Sequence, residues 1–335
     1  MINWIRHFRA FAIIGVVVLH VAAGSLSDEV VGSLNWIFAN FYNSASRWCV
    51  PLFIMLSGAL LLSNKKNESI LEFYRKRAHK VLIPTITWTF VYLIWFFAKS
   101  SYKNEGYSTD LLILFFKGEL YYHLWYIYML VGFYVFAPFL RKFVNNLGKE
   151  ELFFLVVISF ILSISNEIAA IILKANNTFF MVKFISYMPY FIFGFYIFKY
   201  PPTVKHLKST LVFLISIVAT FTLYWIFTSI ESSFSYYFYN YLSLNVVLMS
   251  LVLFIWGRGY LENKKVGFVT SVLDRNSFGV YLIHPIFLEV LRWFYGDEFR
   301  NLGWGTIPIL SIVILFISNL VIEILQKSSY LRRIV

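Results

Sequence analysis

Apolar runs long enough to cross a bilayer follow one another from residue 8 to residue 325, with only short charged segments between them. A hydrocarbon layer about 30 Å thick is crossed by roughly 20 helical residues. Backbone groups inside it must be satisfied without water, which restricts a spanning chain to helices or a closed barrel. Runs of this length are helical. We read ten spans, near 8–26, 47–64, 81–99, 121–140, 151–171, 180–199, 210–229, 238–257, 276–295 and 305–325. The weakest signals are the fifth, which contains Glu167, and the ninth, which contains Pro285 and Glu289. Composition agrees: 14% of residues are charged, against about 25% in a soluble domain. The expected fold is all-α, a polytopic membrane bundle forming one domain over 1–335.

Loop charge sets the orientation. With the N-terminus inside, the outer segments hold Arg47, Lys99, Lys103, Lys117, Lys174, Lys183, Arg292 and Arg300, leaving 21 of the 29 Lys and Arg on the cytoplasmic side. That asymmetry follows the positive-inside rule and places both termini in the cytoplasm. It also accounts for the net charge of +12, so nucleic acid is not an expected partner. No small-residue cleavage site follows the first apolar run, which reads as a retained helix. The single cysteine, Cys49, excludes an intramolecular disulfide and reads as helix filler. No His, Asp or Glu spacing suggests a metal site, and there is no glycine-rich phosphate loop. The outer segment Asp110–Lys117 reads as lying along the interface.

The first span carries two polar groups, Arg9 at its start and His20 eleven residues on. Eleven steps are about three helical turns, so both share a face about 16 Å apart. If Arg9 marks the membrane edge, His20 lies near mid-depth. A titratable residue there is functional or bonds a neighbouring helix. The segment Phe73–Lys80 brings Arg75, Lys76, Arg77 and Lys80 to the same membrane side as Arg6 and Arg9. It reads as a positive-inside anchor or as counter-charge for a phosphate-bearing cytosolic ligand. In the second span Pro51 starts or kinks a helix, Ser57-Gly58 permits close backbone approach, and Arg47 snorkels to headgroups. At the outer end of the fourth, Glu119, Tyr122, His123 and Trp125 form either an interfacial aromatic belt or a sugar-holding surface. The ninth span begins at Asn276-Ser277 and places His284 before Pro285, as a hinge or as a second wall of a buried site.

Taken in order, these pieces resemble the acyltransferase-3 family of integral-membrane O-acyltransferases. The likeness rests on Arg9-x10-His20, the Val-Pro-Leu-Phe-Ile-Met-Leu-Ser-Gly of residues 50–58, Arg77-x-x-Lys80 before Ile-Pro, His123-Leu-Trp-Tyr126, and Ser277-Phe-Gly-Val-Tyr-Leu-Ile-His-Pro285. The resemblance implies an acyl group, usually acetyl, moved from cytoplasmic acyl-CoA to a hydroxyl of a surface or lipid-linked glycan, in the bacterial plasma membrane. It carries Arg9 and His20 over as essential residues and places Arg6, Arg75, Arg77 and Lys80 toward acetyl-CoA, with no metal. It places Glu119, Tyr122, His123, Trp125, Ser277 and His284 toward the acceptor. Lys80 stands where the family has a second arginine, which keeps the charge and loses bidentate phosphate geometry. The chain resembles members without an added extracytoplasmic esterase-like domain. As general base, His20 takes the hydroxyl proton and returns it to the leaving thiolate; an acyl-His20 intermediate is the variant. A transporter of polysaccharide or lipid-linked sugar, or a sensory protein, explains ten helices equally well but does not require Arg9 and His20 in register.

Overall fold

The computed structural model describes residues 2–63, 68–103, 120–174, 182–202, 206–300 and 303–335, and all regular structure among them is helical. We number the helices α1 Asn3–Asp28, α2 Leu34–Ser46, α3 Cys49–Leu62, α4 Ile70–Arg77, α5 Ile83–Lys103, α6 Trp125–Asn145 and α7 Lys149–Ile172. Then follow α8 Lys183–Ser186, α9 Met188–Lys199, α10 His206–Ser229, α11 Leu244–Leu261, α12 Phe268–Arg300 and α13 Thr306–Gln326. Among the described residues eight stretches are long and apolar enough to cross a membrane: α1, α2–α3, α4–α5, α6, α7, α10, Ser235–Leu261 and Gly303–Gln326. The protein is a polytopic helical bundle.

The expected ninth span, 276–295, lies within α12, which is not among those eight. The third begins at Ile70 rather than near residue 81, and the second and sixth also differ from the sequence reading. The second begins at Leu34 rather than near residue 47, with Ser33 capping α2 by accepting from the Trp36 amide at 3.2 Å. Hydropathy hides α2 because Asn40, Asn43, Ser44 and Ser46 are buried on it. Their polarity is offset by bonds such as Asn43 Nδ2 to the Leu19 carbonyl at 3.3 Å and Asn40 Nδ2 to the Phe221 carbonyl at 3.2 Å. The expected span 180–199 lies partly outside the described residues, and the rest is broken into α8 and α9 at Tyr187. Pro189, in the first turn of α9, has no amide to continue α8 and a φ already suited to a new helix.

The core turns on close contacts of small residues. Gly58 of α3 lies against the Phe191 carbonyl and Gly194 of α9 against the Met55 carbonyl, so a Cβ at either position would overlap backbone. Between α4 and α5 the chain widens into one π turn, Ala78–Leu82, closed by the Ile83 amide on the Ala78 carbonyl. Pro84 follows directly, and the wide turn leads the chain past the proline ring.

Candidate active site

Helices α1 and α12 meet along a seam of three polar rungs. At one end Arg6 Nε donates to Asp274 Oδ2 at 2.9 Å and Arg9 Nη1 to Asp274 Oδ1 at 3.3 Å. In the middle His20 Nδ1 lies 2.7 Å from His284 Nε2, the rings stacked with centroids 5.0 Å apart. At the other end Arg292 pairs with Asp28 and donates to the Gly24 carbonyl at 3.1 Å. Partners differ in number by 264 to 268 throughout, so the helices run parallel and in register. A parallel pair needs an odd number of crossings between its members. Six qualifying stretches lie between α1 and α12 among the described residues, so the parallel pairing calls for one crossing more than length and hydropathy register there.

From Asp274 to His284 is about 15 Å of helix and from His284 to Arg292 about 12 Å, so the histidine pair sits near the middle of a hydrocarbon-sized interval. Asp274, Ser277, Tyr281 and His284 recur at steps of three and four along one face of α12, and Asp274 and His284 on it bond α1. Ser277 donates back to the Asp274 carbonyl at 2.9 Å.

The hydrogen bonds fix the tautomers of the neutral pair. His284 Nδ1 lies 3.0 Å from the Val280 carbonyl, which only accepts, so Nδ1 carries the proton. His284 Nε2 is then an acceptor, and the bond across the seam is donated by His20 Nδ1. His20 Nε2 is left with a lone pair and no hydrogen bond from any described residue. The ring is half-buried and meets Tyr122 edge-on at 5.2 Å. Behind the pair His123 is buried, its ring 5.9 Å from that of His284, and neither of its ring nitrogens has a partner among the described residues. Tyr281 donates to the His123 carbonyl.

Two cavities approach α1 from opposite ends. The first, about 790 Å³, is entered past Arg9, Lys76, Arg77 and Lys80 and ends against Ser277, Tyr126 and Tyr281. It also holds Glu68 and Asp274, so cations outnumber carboxylates. Arg77 lies over Phe73 at 5.3 Å, and its buried Nε lacks a hydrogen-bond partner among the described residues. The second, about 1320 Å³, begins at Ala23, Leu26 and Ser27, beyond His20, and is walled by α2, α6, α7, α8 and Tyr236–Tyr241. His20 stands on α1 between the two and lines neither.

The expected site residues thus divide. His20 and His284 meet on the seam, with Tyr122 against them and His123 behind. Arg9, Arg77, Lys80 and Ser277 line the basic cavity. Arg6 is turned to Asp274 and Ser271 and Arg75 is exposed, so neither lines it. Trp125 lines the second cavity. Glu119 and Asp110–Lys117 lie outside the described residues. Arg47 does not snorkel: Nε donates to Asn43 Oδ1 at 2.7 Å, Nη1 to the Tyr239 carbonyl at 2.9 Å, and the guanidinium lies 4.0 Å over the Tyr239 ring. Sequence reading missed Asp274, whose signal was its place ten residues before His284 on one helical face. Glu289 accepts from Trp95 at 3.0 Å and pairs with Lys99 at 3.2 Å and Tyr121. No group of three His, Cys, Asp or Glu side chains among the described residues is arranged to hold a metal.

A multi-pass bundle with a paired imidazole at mid-span, one nitrogen left bare, and a basic cavity at one end of the same helix has the parts of a membrane-embedded transferase. The chain matches the family described as an acyltransferase domain, acyltransferase-3, over residues 2–325, and it belongs to that family. It is a membrane acyltransferase. No curated protein and no solved structure matches it.

Proposed function

We propose that the protein takes an acyl group, acetyl in the simplest case, from acyl-CoA on the cytoplasmic side and places it on a hydroxyl of a cell-surface or lipid-linked glycan in the bacterial plasma membrane. The observation that carries this is the bare Nε2 of His20, held by the bond from Nδ1 to His284 and by that of His284 to the Val280 carbonyl.

A sugar hydroxyl is a poor nucleophile and a thioester a good acyl donor. Nε2 of His20 accepts the hydroxyl proton as the sugar oxygen bonds the carbonyl carbon. The carbon–sulfur bond then breaks, and the thiolate recovers that proton from Nε2. Such base catalysis is worth about 10²–10⁴ in rate. His284 touches neither substrate; it is a positioning residue that keeps the His20 proton on Nδ1 as positive charge develops.

The basic cavity suits the donor. Arg77 and Lys80 offer phosphate contacts, the orphaned Arg77 Nε offers one more donor, and Phe53 and Tyr134 supply apolar wall. Arg9, bonded to Asp274, is anchored at the mouth and orients the donor rather than reaching the acyl carbon. The N-terminal end of the seam is thus the cytoplasmic end.

The test is His20→Ala in purified protein supplied with acetyl-CoA and cell-envelope glycan. Acyl transfer is lost, while membrane insertion and gel-filtration behaviour are kept. Wild-type transfer by this variant would end the proposal.

A further inference from the structure

We infer that the larger cavity, at the end of the seam away from Arg9, is the binding site of the acceptor and holds a sugar ring. This rests on the acyl-transfer reading above and extends it to a cavity of which the sequence marked Trp125 alone as an acceptor residue.

Its walls have the composition a pyranose requires, flat aromatic faces for the C–H side and fixed polar groups for the hydroxyl edge. Trp125 and Tyr241 pack on each other with centroids 5.8 Å apart at 26°, and Tyr239 is held between Tyr224 (3.6 Å, 7°) and Arg47 (4.0 Å), so these rings form a rigid wall. The exposed Tyr236 on the same wall is the ring left to meet a sugar face. The wall is held in place before any ligand arrives, so little ordering entropy is spent on binding. The polar groups are held as firmly. Arg47 is fixed by Asn43 and the Tyr239 carbonyl, and Glu167 Oε2 accepts from Asn240 Nδ2 at 2.7 Å. An ionised carboxylate has further lone pairs for hydroxyl protons, and a guanidinium has further N–H groups for hydroxyl oxygens. A lipid tail would strip water from the charged groups of Arg47, Glu167 and Lys183 without satisfying their remaining hydrogen-bonding capacity, which disfavours it as occupant.

Position links the site to the chemistry. Ala23 and Ser27 follow His20 by three and seven residues and continue its face of α1. Asn43 lines the cavity and also bonds the Leu19 carbonyl, the residue before His20. Trp125 adjoins Tyr126, which closes the basic cavity. Donor and acceptor therefore approach the bare Nε2 from opposite ends of one helix, and neither has to pass the other.

The test uses the full-length protein in lipid nanodiscs, with radiolabelled acetyl-CoA as donor. The acceptor probe is envelope glycan extracted from cells lacking the gene and measured as hexose equivalents. Glu167→Gln and Tyr236→Ala are compared with the unaltered protein; Tyr236 is 75% exposed, so its truncation leaves the fold intact. Each variant is expected to raise the apparent KM for glycan about tenfold, the loss of one charged hydrogen bond or one stacking face. The KM for acetyl-CoA should move by less than about twofold, because the two cavities share no lining residue. Wild-type glycan KM in both variants, with transfer intact, overturns the assignment of this cavity and leaves the acyl-transfer reading standing. Absence of transfer by the unaltered protein overturns both.

Discussion

The two cavities meet α1 on either side of His20 and are built on opposite plans. In the basic cavity Arg77 keeps an unpartnered buried nitrogen, and Arg77 and Lys80 gather within one turn of the chain. In the aromatic cavity the charges are already engaged, Arg47 by Asn43 and Tyr239, Glu167 by Asn240. The first is an electrostatic trap that a multiply charged ligand completes. The second is a finished surface that recognises shape. The seam between them joins the two, and its central rung belongs to neither.

The largest effect is expected at that rung. His284→Ala should lower kcat by about 10², the cost of freeing a catalytic imidazole to adopt the wrong tautomer. His284→Gln, whose side-chain oxygen can accept from His20 Nδ1, should recover part of it. Both KM values should stay near wild type, measured by steady-state kinetics in each substrate. A shift confined to KM would move His284 from the seam's chemistry to one of the cavities.

Next comes Arg77→Ala, expected to raise the acetyl-CoA KM about tenfold, one charge-assisted phosphate contact, and to leave the glycan KM unchanged. Equal changes in both would erase the distinction between the cavities.

Gly58→Ala sharpens the comparison through stability. The new methyl meets the Phe191 backbone and forces α3 from α9 at about 1–3 kcal/mol, read as a lower thermal midpoint in detergent. Because α3 lines only the basic cavity, the acetyl-CoA KM should rise with it. The smallest effect is that of salt. Raising ionic strength from about 0.05 to 0.5 M should weaken acetyl-CoA severalfold and glycan hardly at all, since screening acts on exposed, uncompensated charge.

What was legible in the sequence follows the same division. Arg9 and His20 lie on one helix, so their register is local arithmetic, and the cations of Phe73–Lys80 are neighbours in the chain. His284 stood out as a titratable group in an apolar run. The aromatic cavity, by contrast, is assembled from pairs such as Glu167 with Asn240 and Arg47 with Tyr239, far apart in sequence and each unremarkable alone. Glu167 registered only as a flaw in a span. The polar residues of α2 lowered its hydropathy and hid a helix whose buried asparagines are satisfied by carbonyls of α1 and α10. Asp274, which ties Arg6 and Arg9 to α12, lies just outside the apolar run where charges are expected.

The account rests on which nitrogen of His20 is bare, and nitrogen-15 solid-state NMR of histidine-labelled protein in lipid at neutral pH reads this directly. Assigned by the signal lost in His20→Ala, His20 should show a protonated Nδ1 and an unprotonated Nε2, with Nδ1 coupled across the hydrogen bond to His284. A proton on His20 Nε2 would leave no base where the two substrates meet and would contradict the mechanism.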